Sequence, residues 1–350
     1  MRSDAGLAEK VRFLSGAGAC EEGLPPRAVE THMSWVFLCS GRVLKLKKPV
    51  RYDFLDFSSL AARRFNCREE VRLNRRLAPD VYLGVAPLTQ RSDGQFEVGP
   101  IDPMDAAAAA PTADPEGTAD WLVVMRRLPA ARMLDSALAA GTCTAADIDR
   151  LAERLAAFYR QTPVIALDGQ GYLQRRAEAQ RVDRAVLLDA RFAEVSAQSA
   201  LDRFDRAMRA HADALAERAR TGRIRDGHGD LRPEHVALNA TPIVIDCLEF
   251  NRTLREVDPF DELAQLDLEC RLLGALWVGE RLIARTAAAL GDQPPGTVTA
   301  LYLAGRALLR ARLSVAHLLD PEPREPQRWL PQARRYLAQV HVALDRIGSN

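Results

Sequence analysis

The chain has 350 residues, of which 47% are hydrophobic, enough for one large two-lobed domain or two ordinary domains. Lys and Arg number 48 and Asp and Glu 47, so the net charge of +1 gives no reason to expect a nucleic-acid or membrane partner. The six cysteines lack the C-x-x-C spacing of a zinc or redox site, and Cys39 is expected to be a reduced core residue. A polar start and the lack of a long apolar run predict a soluble, cytoplasmic protein.

The first third of the chain combines strand-like segments with one helix. The helix is expected to begin after Ser58 or Ser59, either of which can cap it, and to reach about Leu77. Residues 105–118 are rich in Ala, Pro, Gly and Asp and are expected to form a surface insertion. Strands are predicted at Val29–Cys39, Arg42–Lys47, Tyr82–Leu88, Gln95–Val98 and Asp120–Arg127.

From Leu134 onward the pattern is mostly helical, with one β-type island from Arg223 to Asp246. A strand-rich part with one long helix, followed by a helical part that holds a small β-island, is the order of a two-lobed kinase-like fold. The chain has no Gly-x-x-x-x-Gly-Lys-Ser/Thr phosphate loop. Helices are predicted at Ile148–Tyr159, Ala177–Arg191, Ala200–Arg220 and Ala300–Leu318.

Two acidic residues, 16 positions apart, stand out for their surroundings. Asp230 lies in the tripeptide His-Gly-Asp, and Asp246 ends an apolar strand that begins near Ile243. Phosphoryl transfer from ATP needs one carboxylate to orient or deprotonate the acceptor hydroxyl and another to hold the metal that bridges the phosphates. The alternatives are a turn in which Asp230 caps a helix, and a metal hydrolase built on His228, Asp230 and His235. No third metal ligand at helix-like spacing is evident for the hydrolase.

Residues 228–238 read His-Gly-Asp-Leu-Arg-Pro-Glu-His-Val-Ala-Leu, and Ile-Val-Ile-Asp follows at 243–246. This resembles the aminoglycoside phosphotransferase family, which carries His-Gly-Asp-Leu-His-Pro-Gly-Asn-Val-Leu and then an apolar strand ending in Asp. The resemblance implies that Asp230 is the catalytic base and that Asp246 is the principal magnesium ligand. His228 is counted with Asp230 among the catalytic residues, and we expect it to hold the loop rather than to take part in the chemistry. Glu249 looks like a feature of the family's uncharacterised bacterial branch, and we expect it to assist the metal or the acceptor.

The chain departs from the family pattern at two places. His235 stands where the family has an Asn that serves as a second metal ligand, and imidazole suits Mg²⁺ less well than an amide oxygen. His235 is therefore expected to favour Mn²⁺, to contact a phosphate, or to mark reduced activity. The segment Asp258–Ala264 resembles the family's Asp-Pro-x-x-Asp-Leu-Ala, which buttresses the catalytic loop, with Glu262 at the second acidic position.

The strand Arg42–Lys47 resembles the kinase strand whose Lys pairs with the α- and β-phosphates of ATP. Lys45 and Lys47 alternate onto one face of it, and Lys45 fits the resemblance better. Its partner is expected to be Glu70 on the following helix, with Glu69 as the alternative, about 100° away around the helix. The opposing interpretation is that these residues are solvated surface charges.

The remaining contacts to ATP are predicted from the resemblance alone. Residues 31–34 take the place of a glycine-rich loop, so Ser34 or the backbone amides there are expected to contact the phosphates. Residues 121–129 resemble the hinge strand, where backbone groups bond the adenine edge. Met125 and Arg127 are the candidate positions for those bonds.

The resemblance therefore predicts an α+β, two-lobed protein-kinase-like fold. Residues 1–128 would form a small β-rich N-lobe with the ATP clamp and a hinge at 121–129. Residues 129–350 would form a larger helical C-lobe with the catalytic loop 228–238, the metal strand 243–246 and the acceptor pocket. The predicted function is an ATP-dependent phosphotransferase that moves the γ-phosphate to a hydroxyl of a small molecule, with ATP and Mg²⁺ or Mn²⁺ as cofactors. The alternatives are a protein-modifying kinase, a nucleotidyl transferase, or a nucleotide-binding pseudoenzyme that serves as an interaction module.

The acceptor and the partners are the least specified features. Arginines are frequent in the last helices, which argues against a polycationic acceptor and suits an anionic one; a solvated helix face is the alternative. Related chains of the uncharacterised branch often continue into a P-loop ATPase domain. This chain ends without one, so any such ATPase is expected to be a separate polypeptide. The arginines concerned are Arg306, Arg310, Arg312, Arg334 and Arg335.

Overall fold

The computed structural model of the protein describes residues 6–20, 23–52, 55–104, 113–320 and 322–347. They divide into two units, of which the first runs through Arg132 and also includes Ile243–Thr253. The second holds Met133–Pro242 and continues from Leu254. The strand at 243–246, predicted for the second lobe, therefore groups with the first unit. Residues 105–112 of the predicted insertion lie outside the described residues.

The strands are short outside the main sheet, and several consist of two residues. In chain order they are β1 (Arg27–Glu30), β2 (Ser34–Leu38), β3 (Arg42–Lys47), β4 (Arg51–Tyr52), β5 (Leu55–Asp56), β6 (Tyr82–Gln90), β7 (Phe96–Val98), β8 (Thr118–Arg126), β9 (Arg225–Asp226), β10 (Val236–Ala237), β11 (Ile243–Val244) and β12 (Glu256–Val257).

The helices concentrate in the second unit. In chain order they are α1 (Leu7–Leu14), α2 (Leu60–Asn74), α3 (Leu134–Ala139), α4 (Ala145–Gln161), α5 (Gly169–Leu187), α6 (Gln198–Ala210), α7 (Ala212–Arg220), α8 (Pro259–Leu272), α9 (Leu276–Leu290), α10 (Gly296–Ala316) and α11 (Pro326–Asp345). Across the described residues, no helix combines the length and the apolarity that crossing a membrane requires.

The main sheet of the first unit is antiparallel, with the strand order β1-β2-β3-β8-β6-β7. The central strand β3 pairs with β2 and β8, so that Lys45 lies opposite Val36 on one side and Val123 on the other. The predicted strand Val29–Cys39 is instead the hairpin β1–β2. The hydroxyl of Thr31 accepts a hydrogen bond from the Ser34 backbone N–H across its turn.

The two faces of this sheet bury different sets of side chains. Val43 of β3 packs with Cys67 and Val71 of α2 on one face. Leu44 and Leu46 lie on the other face with Leu14 of α1 and other buried residues. Since side chains alternate along a strand, Lys45 and Lys47 share the face that α2 covers, as the sequence pattern predicts.

Helix α2 begins where the capping pattern predicts. The hydroxyl of Ser59 accepts a hydrogen bond from the backbone N–H of Ala62 at 3.1 Å and so caps the helix. The helix ends at Asn74 rather than near Leu77. Its buried face carries Cys67, Val71 and Glu70, so one carboxylate enters the apolar interior of this unit.

Cys20 and Cys39 form a disulfide, with their Cα atoms 5.9 Å apart. The expectation that Cys39 is a reduced core residue is therefore wrong. The two cysteines are 19 positions apart, and the chain between them includes the β1–β2 hairpin, whose return brings Cys39 to Cys20. Spacing along the chain does not reveal that proximity. The other cysteines remain thiols, and burial raises the pKa of Cys67 to about 12.

The second unit is built around α8, where most side chains are buried. Asp258 caps α8 by accepting the backbone N–H of Phe260, and its carboxylate also bonds Arg218 of α7. Burial raises the pKa of Asp258 although the Arg218 guanidinium opposes the shift. The helix predicted at Ala200–Arg220 is two helices, α6 and α7, which meet at His211.

Candidate active site

Lys45 lies between two carboxylates in the first unit. Its Nζ donates to Glu70 Oε1 at 2.9 Å and to Asp246 Oδ1 at 2.6 Å. Burial by itself would lower the pKa of Lys45, but Asp246 and Glu70 outweigh it and raise that pKa well above its ordinary value. Lys45 therefore stays charged, and it ties the central strand to helix α2 and to the segment that follows β11.

Lys47 uses the other oxygen of the same glutamate. Its Nζ donates to Glu70 Oε2 at 2.6 Å and also to Glu249. From the sequence, either Lys45 or Lys47 could be the partner of Glu70. In the structure both lysines donate a hydrogen bond to Glu70. Glu69 points elsewhere and pairs with the guanidinium of Arg72, three residues on.

Glu249 is buried against Lys47, which is itself 1% exposed. Burial raises the pKa of Glu249, and the nearby Lys47 ammonium opposes that shift. The Glu70 carboxyl behaves differently: burial would raise its pKa, but Lys45 and Lys47 together lower it. Within this unit the carboxylate of Glu249 is thus bonded to Lys47. Its predicted role at a metal stays a prediction.

Asp246 adopts a backbone conformation that is uncommon for a residue with a side chain. Its φ is +64°, in the left-handed region. Its backbone N–H donates to the hydroxyl of Tyr82 at 3.1 Å, and the N–H of Cys247 donates to Asn74 Oδ1 at 2.8 Å. These two bonds hold the turn, and the Asp246 side chain remains 43% exposed. The bond from Cys247 to Asn74 could have been anticipated from the sequence, because Asn74 is a polar residue on the buried stripe of α2.

The His-Gly-Asp loop lies in the second unit and is held by a buried glutamate. Gly229 has φ of +91°, which only glycine adopts without strain. Glu262 Oε1 accepts the backbone N–H of His228 at 2.8 Å and that of Gly229 at 2.5 Å. Its Oε2 accepts the hydroxyl of Tyr159 at 2.6 Å. Glu262 thus buttresses the loop, in agreement with the resemblance, and burial raises its pKa despite these bonds.

Asp230 is partly exposed and meets three side chains of the second unit. Gln265 Nε2 donates to its Oδ1 at 2.6 Å. Arg232 Nη1 and His235 Nδ1 each lie 3.9 Å from its Oδ2. His235 Nδ1 is also 2.9 Å from the backbone carbonyl of Asp230. Because a carbonyl only accepts, Nδ1 carries a hydrogen in this bond. Sequence reasoning did not identify Gln265.

Of the other predicted ATP contacts, Ser34 and Met125 lie in strands, and Arg127 directly follows β8. Ser34 is buried at the start of β2, with its carbonyl oxygen accepting the hydroxyl of Thr31. Met125 lies in β8, paired with Val43 and Tyr82 on its two sides. The backbone N–H of Arg127 bonds the carbonyl of Gly41, and its guanidinium bonds the carbonyl of Cys39. The roles of Ser34, Met125 and Arg127 toward ATP stay predictions.

The predicted metal ligands differ in kind. In the first unit, the Asp246 carboxylate is partly exposed and accepts from Lys45. In the second unit, His235 is an imidazole whose Nδ1 bonds the Asp230 carbonyl. Carboxylate oxygens suit Mg²⁺, whereas an imidazole nitrogen suits Mn²⁺ better. In the part of the chain that the structure describes, no group of three or more His, Cys, Asp or Glu side chains is placed to hold a metal ion.

The arginines of the last helices bond groups within their own unit. Arg306 pairs with Asp261, Arg310 with Glu269, Arg312 with Asp183 and Arg334 with Glu194, and Arg335 donates to the Leu272 carbonyl. Their abundance alone therefore does not indicate an anionic acceptor. Arg310 is the exception of interest: burial would lower its pKa, but Glu269, Tyr336 and, more weakly, the charge of Asp230 outweigh burial and raise it.

No protein-family profile matches this chain. Uncharacterized proteins of Mycobacterium tuberculosis H37Rv and Mycobacterium bovis are 31% identical to it over 332 residues, covering 92% of this chain and 61% of each relative. The chain thus spans about three fifths of the length of the curated relatives it matches. These relatives carry no described activity.

Solved structures match at low identity over nearly the whole chain. A choline/ethanolamine kinase family protein from Mesorhizobium loti gives a TM-score of 0.50 at 14% identity, covering 96% of this chain and 100% of that one. APH(2")-IIia, in complex with GDP and kanamycin, gives 0.53 at 15% identity, covering 95% and 98%. A thermostable mutant of aminoglycoside phosphotransferase APH(4)-Ia, in complex with AMP-PNP and hygromycin B, gives 0.51 at 12% identity, covering 93% and 95%.

Each of these three proteins matches both the strand-rich and the helical part. The chain therefore has the α+β, two-lobed protein-kinase-like fold of the aminoglycoside phosphotransferases and the choline/ethanolamine kinase-family proteins, as the motif at 228–246 predicts.

Proposed function

We propose that the protein is an ATP-dependent phosphotransferase that transfers the γ-phosphate to a hydroxyl of a small molecule. The observation that carries the proposal is Lys45, whose ammonium bonds both Glu70 and Asp246. In kinases, a lysine held by a helix glutamate pairs with the α- and β-phosphates, and an Asp after an apolar strand holds the metal. A solvated surface pair would not need Glu70 to be completely buried.

Asp230 is proposed as the base. The acceptor hydroxyl gives its proton to the Asp230 carboxylate, and the acceptor oxygen forms a bond to the γ-phosphorus. The bond from that phosphorus to the bridging oxygen of ADP breaks, and ADP leaves with the electron pair. Complexes of similarly folded proteins with GDP and with AMP-PNP support a nucleotide as the donor.

A divalent metal would neutralise the phosphate charge, and Asp246 and His235 are the residues proposed to hold it. Glu249 is proposed to act indirectly, because it bonds Lys47. Since His235 offers nitrogen rather than oxygen, Mn²⁺ is expected to support turnover at least as well as Mg²⁺. His235→Asn should improve the use of Mg²⁺, and an unchanged Mg²⁺ affinity in that variant would place His235 away from the metal.

The test is ATP turnover with Mg²⁺ and with Mn²⁺, measured for the native protein and for Asp230→Asn, Asp246→Ala and Glu70→Gln. Glu69→Gln is the matched control, since its carboxylate pairs only with Arg72 among the contacts described above. Glu70→Gln should lower turnover by about a hundredfold or more and Glu69→Gln by less than about twofold. If neither metal supports ATP binding or turnover, the proposal fails. If the turnover of Asp230→Asn equals that of the native protein, Asp230 is not the catalytic base.

The same assays separate the other functions. A pseudoenzyme would bind ATP without turnover, and a nucleotidyl transferase would release pyrophosphate instead of ADP. A protein kinase would label a polypeptide. The exposed Asp246 and the held Lys45–Glu70 pair favour a catalytic role over a pseudoenzyme. A P-loop ATPase acting together with this chain stays a prediction.

A further inference from the structure

A chain of hydrogen bonds reaches Asp230 from the interior of the second unit. Arg306 of α10 donates through Nε to Asp261 Oδ1 at 2.8 Å and through Nη1 to Gln265 Oε1 at 2.8 Å. Gln265 Nε2 then donates to Asp230 Oδ1 at 2.6 Å. Asp261 and Gln265 are four residues apart on α8 and so share one face of the helix. Gln265 and Arg306 are both buried, at 2% and 8% exposure.

The chemistry of the partners sets the direction of the Gln265 amide. A guanidinium has only donors, so the amide atom that faces Arg306 must be the oxygen. The NH₂ group then necessarily faces Asp230, whose carboxylate needs donors. Arg306 cannot turn away easily, because Asp261 also holds it and in turn accepts from Arg176 at 3.2 Å. Asp261 therefore holds Arg306, Arg306 orients the Gln265 amide, and Gln265 in turn holds the Asp230 carboxylate.

We propose that Gln265 is a positioning residue for the base of the phosphotransferase, and this inference rests on the function proposed above. Its NH₂ group donates a hydrogen bond to Asp230 Oδ1 and thereby fixes the plane of the carboxylate. Oδ2, on the side of Arg232 and His235, is then the oxygen that takes the proton of the acceptor hydroxyl. Gln265 contacts neither the nucleotide nor the acceptor in this role, so it should affect the chemical step and not the binding of ATP.

The experiment compares Gln265→Met and Gln265→Glu with the native protein in steady-state ATP turnover, with water as the acceptor. Methionine keeps the length of the side chain but loses the donor, and glutamate keeps the bond from Arg306 but presents oxygen to Asp230. Both should lower kcat by about tenfold to a hundredfold and leave the KM for ATP within about twofold. Gln180→Met is the matched control. Gln180 is a buried amide of the same unit with no hydrogen-bond partner among the described residues, and its loss should leave kcat unchanged.

Two comparisons separate positioning from a structural role. In an Asp230→Ala background, Gln265→Met should cause no further loss, because its effect passes through the carboxylate. A kcat within about twofold of native, a KM that rises together with the fall in kcat, or an equal loss in that background would each overturn the proposal.

A stability measurement keeps the inference separate from the proposed function. In a double-mutant cycle of Gln265→Met and Asp230→Ala, urea unfolding should show a coupling of about fivefold or more in the unfolding equilibrium constant. If the native protein has no ATP turnover, the proposed function fails, while a measured coupling still supports the contact. If turnover is present and the coupling is absent, the positioning proposal fails and the phosphotransferase stands.

Discussion

Lys47→Met tests whether Glu249 is held in the first unit by its lysine. Lys47 and Glu249 are both buried, so the variant leaves Glu249 without its hydrogen-bonded lysine. Glu70, by contrast, loses one of two lysines and keeps Lys45. Burying the Glu249 charge unpaired costs more than neutralising it, so its carboxyl should take up a proton. The size of the effect then follows from the cost of protonating Glu249 at the pH of the experiment.

The ordinary pKa of a glutamate is 4.5, and Glu249 starts from that value in the unfolded chain. At about 1.4 kcal/mol per pH unit, keeping the carboxyl protonated at pH 7 costs about 3.4 kcal/mol. At pH 5 the same calculation yields about 0.7 kcal/mol. A carboxyl whose pKa is raised on folding contributes no penalty below its unfolded pKa and an increasing one as the pH rises. Lys47→Met should therefore lose up to about 3 kcal/mol at pH 7 and less than about 1 kcal/mol at pH 5.

Urea unfolding at pH 5, 6 and 7 measures this difference through the transition midpoint. Lys47→Met with Glu249→Gln removes both charges and should recover most of the loss at pH 7. Lys48→Met is the control, because its partner Glu30 is partly exposed and can be hydrated again. A loss in Lys47→Met that does not change with pH, or a double variant no more stable than the single one, would refute the reasoning.

Three further predictions concern the second unit. Gly227→Ala would place a Cβ 2.9 Å from Glu262 Oε1 and should cost about 1–3 kcal/mol of unfolding free energy and lower ATP turnover, measured by urea unfolding and steady-state assays. Tyr159→Phe removes the donor to Glu262 and should cost about 1–2 kcal/mol by the same unfolding measurement; an unchanged midpoint would contradict the bond. Burial raises the pKa of Asp183 to about 6 in spite of Arg312, so its contribution favours folding below about pH 4 and is lost as the pH rises through 6. Asp183→Asn should therefore reduce the loss of stability between pH 4 and pH 7 by about 2 kcal/mol, and an identical pH dependence would rule this out.

Local patterns in the sequence specify much of the first unit. The alternation in β3 places Val43, Lys45 and Lys47 on one face, and side-chain direction in a strand depends only on the backbone. Ser59 marks the start of α2 because its hydroxyl satisfies an N–H that the helix leaves open. The spacing from Lys45 to Glu70 likewise predicts the pair that the structure contains. The motif at 228–246 predicts the fold that the solved structures share.

The sequence by itself determined the helix and strand faces, the fold and the identity of the candidate base, because each depends on neighbours along the chain or on a continuous motif. Only the tertiary structure paired Cys20 with Cys39, joined Lys47 to Glu249 and brought Gln265 to Asp230. The last two pairs are 202 and 35 residues apart in sequence. A lysine or a glutamine on a helix or strand is compatible with many partners, and which one it meets depends on how distant elements pack.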